Sequence, residues 1–150
     1  CPMQDFCEAY NSNRVAELPV KSKKIKVKNR FLHFLMIESG NGVYLGKRKK
    51  GIWNGLYEFP FLEFDNNIDE NQVVETEDWA KIFHEDGLEI NSISPEFIHA
   101  LSHQKIHAKF WKIKAEGVVF KSFDLIAKKD LLNYPVSRLI EKYFETIELI

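Results

Sequence analysis

Residues 25–38, with the sequence IKVKNRFLHFLMIE, constrain the fold of this chain more than any other segment. Apolar and polar residues alternate at its start, and the segment then becomes a nearly continuous apolar run. Alternation predicts a strand with one solvated face, whereas a continuous apolar run predicts a strand that is buried on both faces. We therefore expect a strand that begins at an exposed edge of a sheet and enters the core.

Further strands and two helices are expected around this strand. Ser39-Gly40-Asn41-Gly42 predicts a hairpin turn, because Gly and Asn tolerate positive φ. The other expected strands are 43–45, 56–64 (with Pro60 at a bulge or edge), 97–101, 106–113 and 118–120, with an acidic loop at 65–74. Thr76 is the expected N-cap of a helix over 75–85, and residues 136–147 have the periodicity of an amphipathic helix. This order of elements predicts an α+β domain, a mixed β-sheet flanked by helices.

The length and composition are those of a single globular domain. The chain has 150 residues, of which 45% are hydrophobic, and a chain of this length can bury roughly 70% of its unfolded surface. It contains neither 18 consecutive apolar residues nor a signal peptide, so no membrane partner is expected. We expect it in a reducing bacterial cytoplasm, in association with the nucleoid. Because the chain begins at Cys1 rather than Met, we also expect it to be excised from a longer protein.

Charge is distributed unevenly along the chain, although the net charge is only −1. Residues 21–50 hold ten Lys or Arg residues and one acid, whereas residues 58–96 hold twelve acids and one base. Folding could place the two segments on opposite faces, and a positive face attracts phosphate. The alternative is that both segments are ordinary solvated strand faces and a tail.

Residues 47–60, KRKKGIWNGLYEFP, combine four cations, two glycines on either side of an indole, and an aromatic strand-like run. Cations such as Arg48 attract phosphate, and glycines let a backbone approach a ligand closely. Trp53 could pack on a base or close over a pocket. This combination predicts a surface that meets a nucleotide or a nucleic acid. The alternative is a tight hairpin in which Trp53 fills the core.

Leu101, Ser102 and His103 are expected at the tip of a hairpin, where they could reach into a DNA groove. The alternative is a turn that Ser102 caps and His103 decorates. His99, His103 and His107 recur every four residues, a spacing that on a helix would suggest a metal site. Strand-turn-strand structure would scatter the three imidazoles, so no metal site is expected there.

Cys1 and Cys7 are the two cysteines of the chain, and a polar segment with Pro19 follows them. They could be two incidental reduced thiols. They could also be the last two of four metal ligands, because a complete structural site normally requires four. In that case residues 11–24 form a linker between two domains, and the second domain begins near residue 25.

Together these features resemble the C-terminal part of adenine DNA glycosylases of the MutY type, enzymes that remove adenine mispaired with 8-oxoguanine. Residues 51–60, GIWNGLYEFP, are similar to the family's G-[LI]-W-x-G-L-[WY]-E-F-P signature. Leu101-Ser102-His103 matches its Phe-Ser-His loop, with Leu in place of Phe. Cys1 and Cys7 look like the last two ligands of its Cys-x6-Cys-x2-Cys-x5-Cys iron–sulfur loop.

The resemblance implies a Nudix-like lesion-recognition domain over residues 25–150. Residues 1–10 are then the tail of the iron–sulfur loop of a missing N-terminal catalytic domain, and residues 11–24 are the interdomain linker. The full-length protein is expected to be an adenine DNA glycosylase with a 4Fe–4S cluster, whereas this chain alone is expected to bind no cluster. The implied partners are the missing domain and double-stranded DNA that contains 8-oxoguanine opposite adenine.

The chain departs from R-E-x-x-E-E-x-G, the motif with which Nudix hydrolases hold divalent metals. With Gly87 aligned to the glycine of the motif, its four charged positions are occupied by Ala80, Lys81, His84 and Glu85. One of three glutamates remains and a lysine replaces another, so metal ions would be held poorly. We therefore predict that the chain keeps the fold without hydrolysing nucleotides.

The resemblance also implies roles for the site residues. Oxidation of guanine turns N7 into an N–H donor and adds a carbonyl at C8, and a Ser hydroxyl or a loop backbone can match either group. Ser102 is therefore the main candidate for contacting the lesion. His103 could contact phosphate or hold the loop, and Leu101 could wedge between bases with weaker stacking than Phe. Arg48 and Trp53 would steady the loop or the strand.

Two other functions stay open. The chain could be an active Nudix hydrolase of oxidised nucleotides, although the altered metal motif argues against this. It could also be a non-catalytic docking module that binds a repair or replication partner through its acidic segment.

Overall fold

The computed structural model describes residues 1–18, 20, 26–83, 88–115, 120 and 122–147. Within these ranges the strands form one mixed sheet, and helices pack on both of its faces. The strands are β1 (Lys28–Ser39), β2 (Gly42–Lys47), β3 (Tyr57–Glu58), β4 (Phe61–Phe64), β5 (Leu88–Ile93), β6 (Phe97–Ala100), β7 (Gln104–Ala115) and β8 (Asp124–Ala127). The α-helices are α1 (Glu8–Asn11), α2 (Glu70–Val74), α3 (Glu77–Ile82) and α4 (Arg138–Thr146), and two 3-10 helices cover Gln4–Phe6 and Lys128–Asn133.

Three features of the sequence analysis lie outside the described residues. They are Pro19 and residues 21–25, which belong to the expected linker and the first position of the expected strand over 25–38, the motif positions His84, Glu85 and Gly87, and positions 118–119 of another expected strand. Phe120, the last residue of that expected strand, belongs to no strand.

β1 is the central strand of the sheet. It runs parallel to β7, from the pair Lys28 and Gln104 to the pair Glu38 and Lys114, and antiparallel to β2 and β4. The sheet order is β3-β2-β1-β7-β5, while β4 pairs with β1, β6 with β7 and β8 with β2. The first residues of β1 are exposed and residues 32–38 are buried. This confirms the strand that the sequence predicts.

Side chains of β1 pack into a separate core on each face of the sheet. Phe34 and Met36 belong to the core beneath α4, whereas Leu35 and Ile37 belong to the core beneath α2 and α3. The predicted amphipathic helix over 136–147 is confirmed as α4, whose four buried side chains recur at helical spacing. None of the helices in the described residues has the length and apolar character that crossing a membrane requires.

The prediction of one strand over 56–64 is wrong, because the chain changes partner in the middle of this segment. Glu58 in β3 pairs with Gly46 in β2, whereas Phe61 in β4 pairs with Phe34 in β1. Pro60 lies between the two strands, and its carbonyl accepts a hydrogen bond of 2.7 Å from the backbone N–H of Leu35. Proline has no N–H with which to continue a ladder, so it is a natural point for the change.

Three further predictions need correction. The expected acidic loop at 65–74 contains α2, which Asp69 and Gln72 start with a capping box. The expected helix over 75–85 is shorter and ends at Ile82, although Thr76 is its N-cap as predicted. β5 and β8 were not predicted; four of the six residues of β5 are exposed, and its pairing with β7 rather than its own apolar pattern defines it as a strand.

A candidate nucleic-acid interface

The glycine-rich loop, defined here as residues 47–56, begins with the last residue of β2 and leads to β3 through an unusual backbone. Gly51, Trp53 and Gly55 all have positive φ, of 74°, 64° and 87°. The loop is closed by backbone hydrogen bonds from Arg48 to Leu56 (2.8 Å), from Gly55 to Arg48 (2.9 Å) and from Leu56 to Trp53 (3.0 Å). Glycine adopts positive φ without a steric cost, whereas a bulky residue such as Trp is strained in that conformation. Trp53 is therefore held in place by its surroundings.

Those surroundings connect the loop to the hairpin formed by β6 and β7. The Trp53 side chain is half-buried against the core beneath α4. Its ring centroid lies 5.8 Å from that of His99 in β6. Burial, followed by the positive charge of Lys142, lowers the pKa of His99, which favours a neutral imidazole beside the indole. Trp53 therefore contributes to the core but does not fill it, which agrees in part with the alternative interpretation.

Replacing Trp53 by Gly is expected to leave the domain about 1 kcal/mol more stable than replacing it by Ala. Both variants remove the indole, but only Gly avoids the strain of an L-residue at a φ of 64°. Urea unfolding at pH 7 measures the difference. The control is the neighbouring Asn54, whose φ is not positive, so the Ala variant there should be at least as stable as the Gly variant. Equal stability of the Trp53→Ala and Trp53→Gly chains would contradict the prediction.

Arg48 lies at the base of the glycine-rich loop and turns inward. Its Nη1 donates to Oε2 of Glu58 at 2.5 Å and its Nε donates to the carbonyl of Lys50 at 3.1 Å. Its guanidinium carbon also lies 5.1 Å from the centroid of the Phe61 ring. Both charged side chains are about 11% exposed. These contacts fit the expected steadying role, and a contact between Arg48 and DNA stays a prediction.

Leu101, Ser102 and His103, called the 101–103 turn below, form the tip of the β6–β7 hairpin. The predicted hairpin is confirmed, since Ala100 pairs with Lys105 and the N–H of Leu101 donates to the carbonyl of Gln104 at 2.8 Å. Ser102 and His103 are exposed. Leu101 is half-buried and packs against the core beneath α4. Part of the side chain that was expected to wedge between bases therefore contacts the domain itself.

The glycine-rich loop and the 101–103 turn lie on the same side of the sheet, and the glycine-rich loop carries exposed lysines. Trp53 and Leu101 both pack against the core beneath α4. Lys47, Lys49 and Lys50 in the glycine-rich loop are exposed and form no ion pair with a carboxylate of the described residues. Acids of α2 and α3 lie on the other face, since these helices pack on the opposite core. Glu141 and Glu145 lie on α4, which packs on the same core as the two loops, so the acids are not confined to one face of the sheet.

Cys1 and Cys7, the expected metal ligands, belong to no group of side chains suited to holding a metal ion among the residues that the structure describes. No group of three or more His, Cys, Asp or Glu side chains there is arranged to hold an ion. Cys1 is exposed, Cys7 is half-buried, and both are free thiols. Two thiolates supply half of the four ligands that an iron–sulfur cluster requires. The partial ligand set of Cys1 and Cys7 therefore stays a prediction about a longer protein.

Helix α3 carries the first two positions of the metal-motif comparison. Both Ala80 and Lys81 are exposed, and Nζ of Lys81 donates to the Asp78 carboxylate at 2.6 Å. This pairing raises the pKa of Lys81, so its ammonium charge is kept at the position where the hydrolase motif has a glutamate. A cation at this position repels a divalent metal.

Two long-range polar contacts, one beside the 101–103 turn and one on the opposite face of the sheet, have no counterpart in the sequence analysis. Arg30 binds Gln104, 74 positions away, and Trp111 donates to the buried His33, 78 positions away. Neither pair has a local motif. The parallel pairing of β1 with β7 brings them together, and a sequence signal would have required knowledge of that register.

Comparisons with known proteins agree with this architecture. A family model described as NUDIX domain matches residues 33–146. The C-terminal domain of mouse MUTYH, solved in complex with human PCNA, is similar with a TM-score of 0.62 and 16% identity, over 79% of this chain and 87% of that one. The Nudix hydrolase RenU from M. smegmatis is similar with a TM-score of 0.56 and 12% identity, over 87% and 90% of the two chains. The C. elegans Ap4A hydrolase has a TM-score of 0.55 and 16% identity, over 78% and 97%. At these identities the likenesses show a common fold.

Proposed function

The chain belongs to the Nudix domain family, and on that premise we propose that it is the lesion-recognition domain of a MutY-type adenine DNA glycosylase. In this proposal it recognises 8-oxoguanine paired with adenine in double-stranded DNA. A separate N-terminal domain, which would hold the 4Fe–4S cluster with Cys1 and Cys7 among its ligands, excises the adenine. The signature at residues 51–60 and the 101–103 turn support this assignment over other members of the family.

The observation that carries the proposal is the position of the 101–103 turn. Ser102 and His103 are exposed at the tip of a hairpin, while Leu101 anchors the tip in the core. The Ser102 hydroxyl can accept a hydrogen bond from N7–H of 8-oxoguanine or donate one to its O8, and ordinary guanine offers neither group in that form. The exposed lysines of the glycine-rich loop would supply phosphate contacts that depend on salt rather than on the lesion.

Replacing Ser102 by Ala is expected to reduce the preference for an 8-oxoguanine·adenine duplex over a guanine·adenine duplex by about fivefold. A lost neutral hydrogen bond is worth about 1 kcal/mol, which corresponds to that factor. NMR shift changes during titration with each duplex give both dissociation constants. Ser92→Ala is the matched control, because Ser92 is exposed and pairs with Lys112, toward the far end of β7 from the turn. Equal losses on both duplexes would contradict the specific role of Ser102.

An active Nudix hydrolase of oxidised nucleotides is the second candidate, since hydrolases share the fold. Pyrophosphate release with Mg2+ separates the two functions: turnover would support the hydrolase, and the Lys81 position argues against it. A docking module is the third candidate. Neutralising Glu75, Glu77 and Asp78 would abolish capture of a protein partner in that case and leave DNA selectivity unchanged.

A further inference from the structure

Arg30 lies in β1 beside the 101–103 turn and binds two side chains from different strands. Its Nε and Nη2 donate to the two carboxylate oxygens of Glu63 in β4, at 2.6 and 2.7 Å. Its Nη1 donates to Oε1 of Gln104 at 2.9 Å. Gln104 is the residue that directly follows His103. The Arg30 side chain is 15% exposed, so it is directed to its two partners rather than to solvent.

The backbone of the turn is held by the same part of β1. The N–H of Lys28 donates to the carbonyl of His103 at 3.0 Å, and the carbonyl of Gln104 accepts from Leu101 at 2.8 Å. Gln104 is therefore fixed through its main chain within the hairpin and through its side chain by Arg30. The first residues of β1 therefore supply two ties, from the Lys28 backbone to His103 and from the Arg30 side chain to Gln104.

The guanidinium group is suited to this task, because its planar donors bind a carboxylate in a fixed bidentate geometry. Glu63 fixes the plane of the Arg30 guanidinium, and an N–H of Nη1 then fixes the direction of the Gln104 amide. A serine that distinguishes one base from another must be held near its bound position before DNA arrives, because ordering it on binding weakens the complex. The 101–103 turn is thus held by contacts from β1, which lies outside the turn.

We propose that Arg30, oriented by Glu63, is a positioning residue that fixes the 101–103 turn through Gln104. This inference rests on the proposed function of the turn in lesion recognition. It assigns to Arg30 no contact with DNA. The bond to Gln104 holds the Ser102 hydroxyl and the amides beside it in the geometry that distinguishes 8-oxoguanine from guanine.

The test uses Gln104→Met, which removes the amide acceptor and leaves the Arg30–Glu63 pair and the fold in place. We expect the preference for the 8-oxoguanine·adenine duplex to fall about fivefold. We also expect the backbone order parameters of Ser102 and His103 to fall from about 0.85 toward about 0.6. Gln104→Glu should keep both properties, since its carboxylate still accepts from Arg30, and any general loss of DNA affinity cancels in the ratio of the two dissociation constants.

Gln72→Met is the matched control, because Gln72 also accepts one hydrogen bond through Oε1, at 3.1 Å from the N–H of Asp69, but lies on the α2 face. It should change neither the ratio nor the order parameters of the turn. A wild-type domain that does not distinguish the duplexes would overturn the proposed function, and this inference with it. A selective wild-type domain overturns the positioning role alone if Gln104→Met leaves either the ratio or the order of the turn unchanged.

Discussion

Replacing Arg48 by Met is expected to lower the free energy of unfolding by about 3 kcal/mol at pH 7. Removing one partner of a buried ion pair leaves an uncompensated charge, at a typical cost of 3–5 kcal/mol, about 3 here because the pair keeps some solvent contact. Arg48 and Glu58 are each about 11% exposed and are joined at 2.5 Å. The Arg48→Met chain would therefore hold the Glu58 carboxylate in a largely dry site without a hydrogen-bonding cation.

The cost should depend on pH in a defined direction. The pKa of Glu58 lies above its usual 4.5, because burial raises it by more than the hydrogen bond and the charge of Arg48 lower it. Without Arg48 the folded-state pKa rises further above the unfolded-state value. Residue Glu58 of the variant then ionises at a lower pH in the unfolded chain than in the folded chain. The variant therefore loses stability as pH rises through this range, and it regains that stability as pH falls through the folded-state pKa of Glu58. The cost should be smaller at pH 4.5 than at pH 7.

Urea unfolding of four chains at both pH values checks this prediction: the wild type, Arg48→Met, Glu58→Gln and the double variant. Adding Glu58→Gln to Arg48→Met should restore much of the lost stability, because the buried charge is gone. Arg138→Met is the control, since Arg138 forms two exposed ion pairs on α4 and should matter little. Additive effects of the two substitutions, or an equal cost at both pH values, would contradict the argument.

The elements that could be predicted from the sequence are those whose signal is local. The strand over 25–38, the glycine turn at 39–42 and the helix over 136–147 each carry their periodicity or turn residues within a short window. The Thr76 cap depends only on the three residues that follow it. Such patterns need no knowledge of which elements become neighbours, so the structure changes their bounds by only a few residues.

The features that could not be predicted depend on distant partners. Pro60 separates β3 from β4 only because different strands lie ready to pair with each side of it. The partly buried state of Leu101 depends on the α4 core, and the position of the Ser102 turn depends on Arg30, more than seventy residues away. A motif comparison finds the turn itself, whereas the contacts that hold it are set by the parallel register of β1 and β7.

His33 is one of these distant contacts, and it should make the stability of the domain depend on pH. The side chain is 2% exposed, and its Nδ1 accepts a hydrogen bond of 3.0 Å from Nε1–H of Trp111. The ring therefore carries its proton on Nε2 and is neutral. Burial lowers its pKa to about 4; the charge of Lys109 lowers it as well, and Glu70 opposes them.

Between pH 6.5 and pH 4 the unfolded chain binds a proton at this histidine and the folded chain does not. Stability should therefore fall as pH falls through this range, by roughly 3 kcal/mol in total from this residue. Above pH 6.5 both states are neutral, so the contribution is constant there. Acids such as Glu63, whose pKa Arg30 lowers, also lose stabilisation at low pH, so the histidine must be isolated by a variant.

His33→Gln supplies that variant, because its amide oxygen can still accept from Trp111 and the side chain does not titrate. Urea unfolding at pH 4, 5, 6 and 7 should show a shallower loss of stability for His33→Gln than for the wild type, with curves that converge toward acid pH. His103→Gln removes an exposed imidazole and should keep the wild-type slope. Parallel curves for the wild type and His33→Gln would contradict the prediction. They would mean that His33 binds a proton as readily in the folded domain as in the unfolded chain. That requires either loss of the hydrogen bond from Trp111 to Nδ1 or entry of water beside His33.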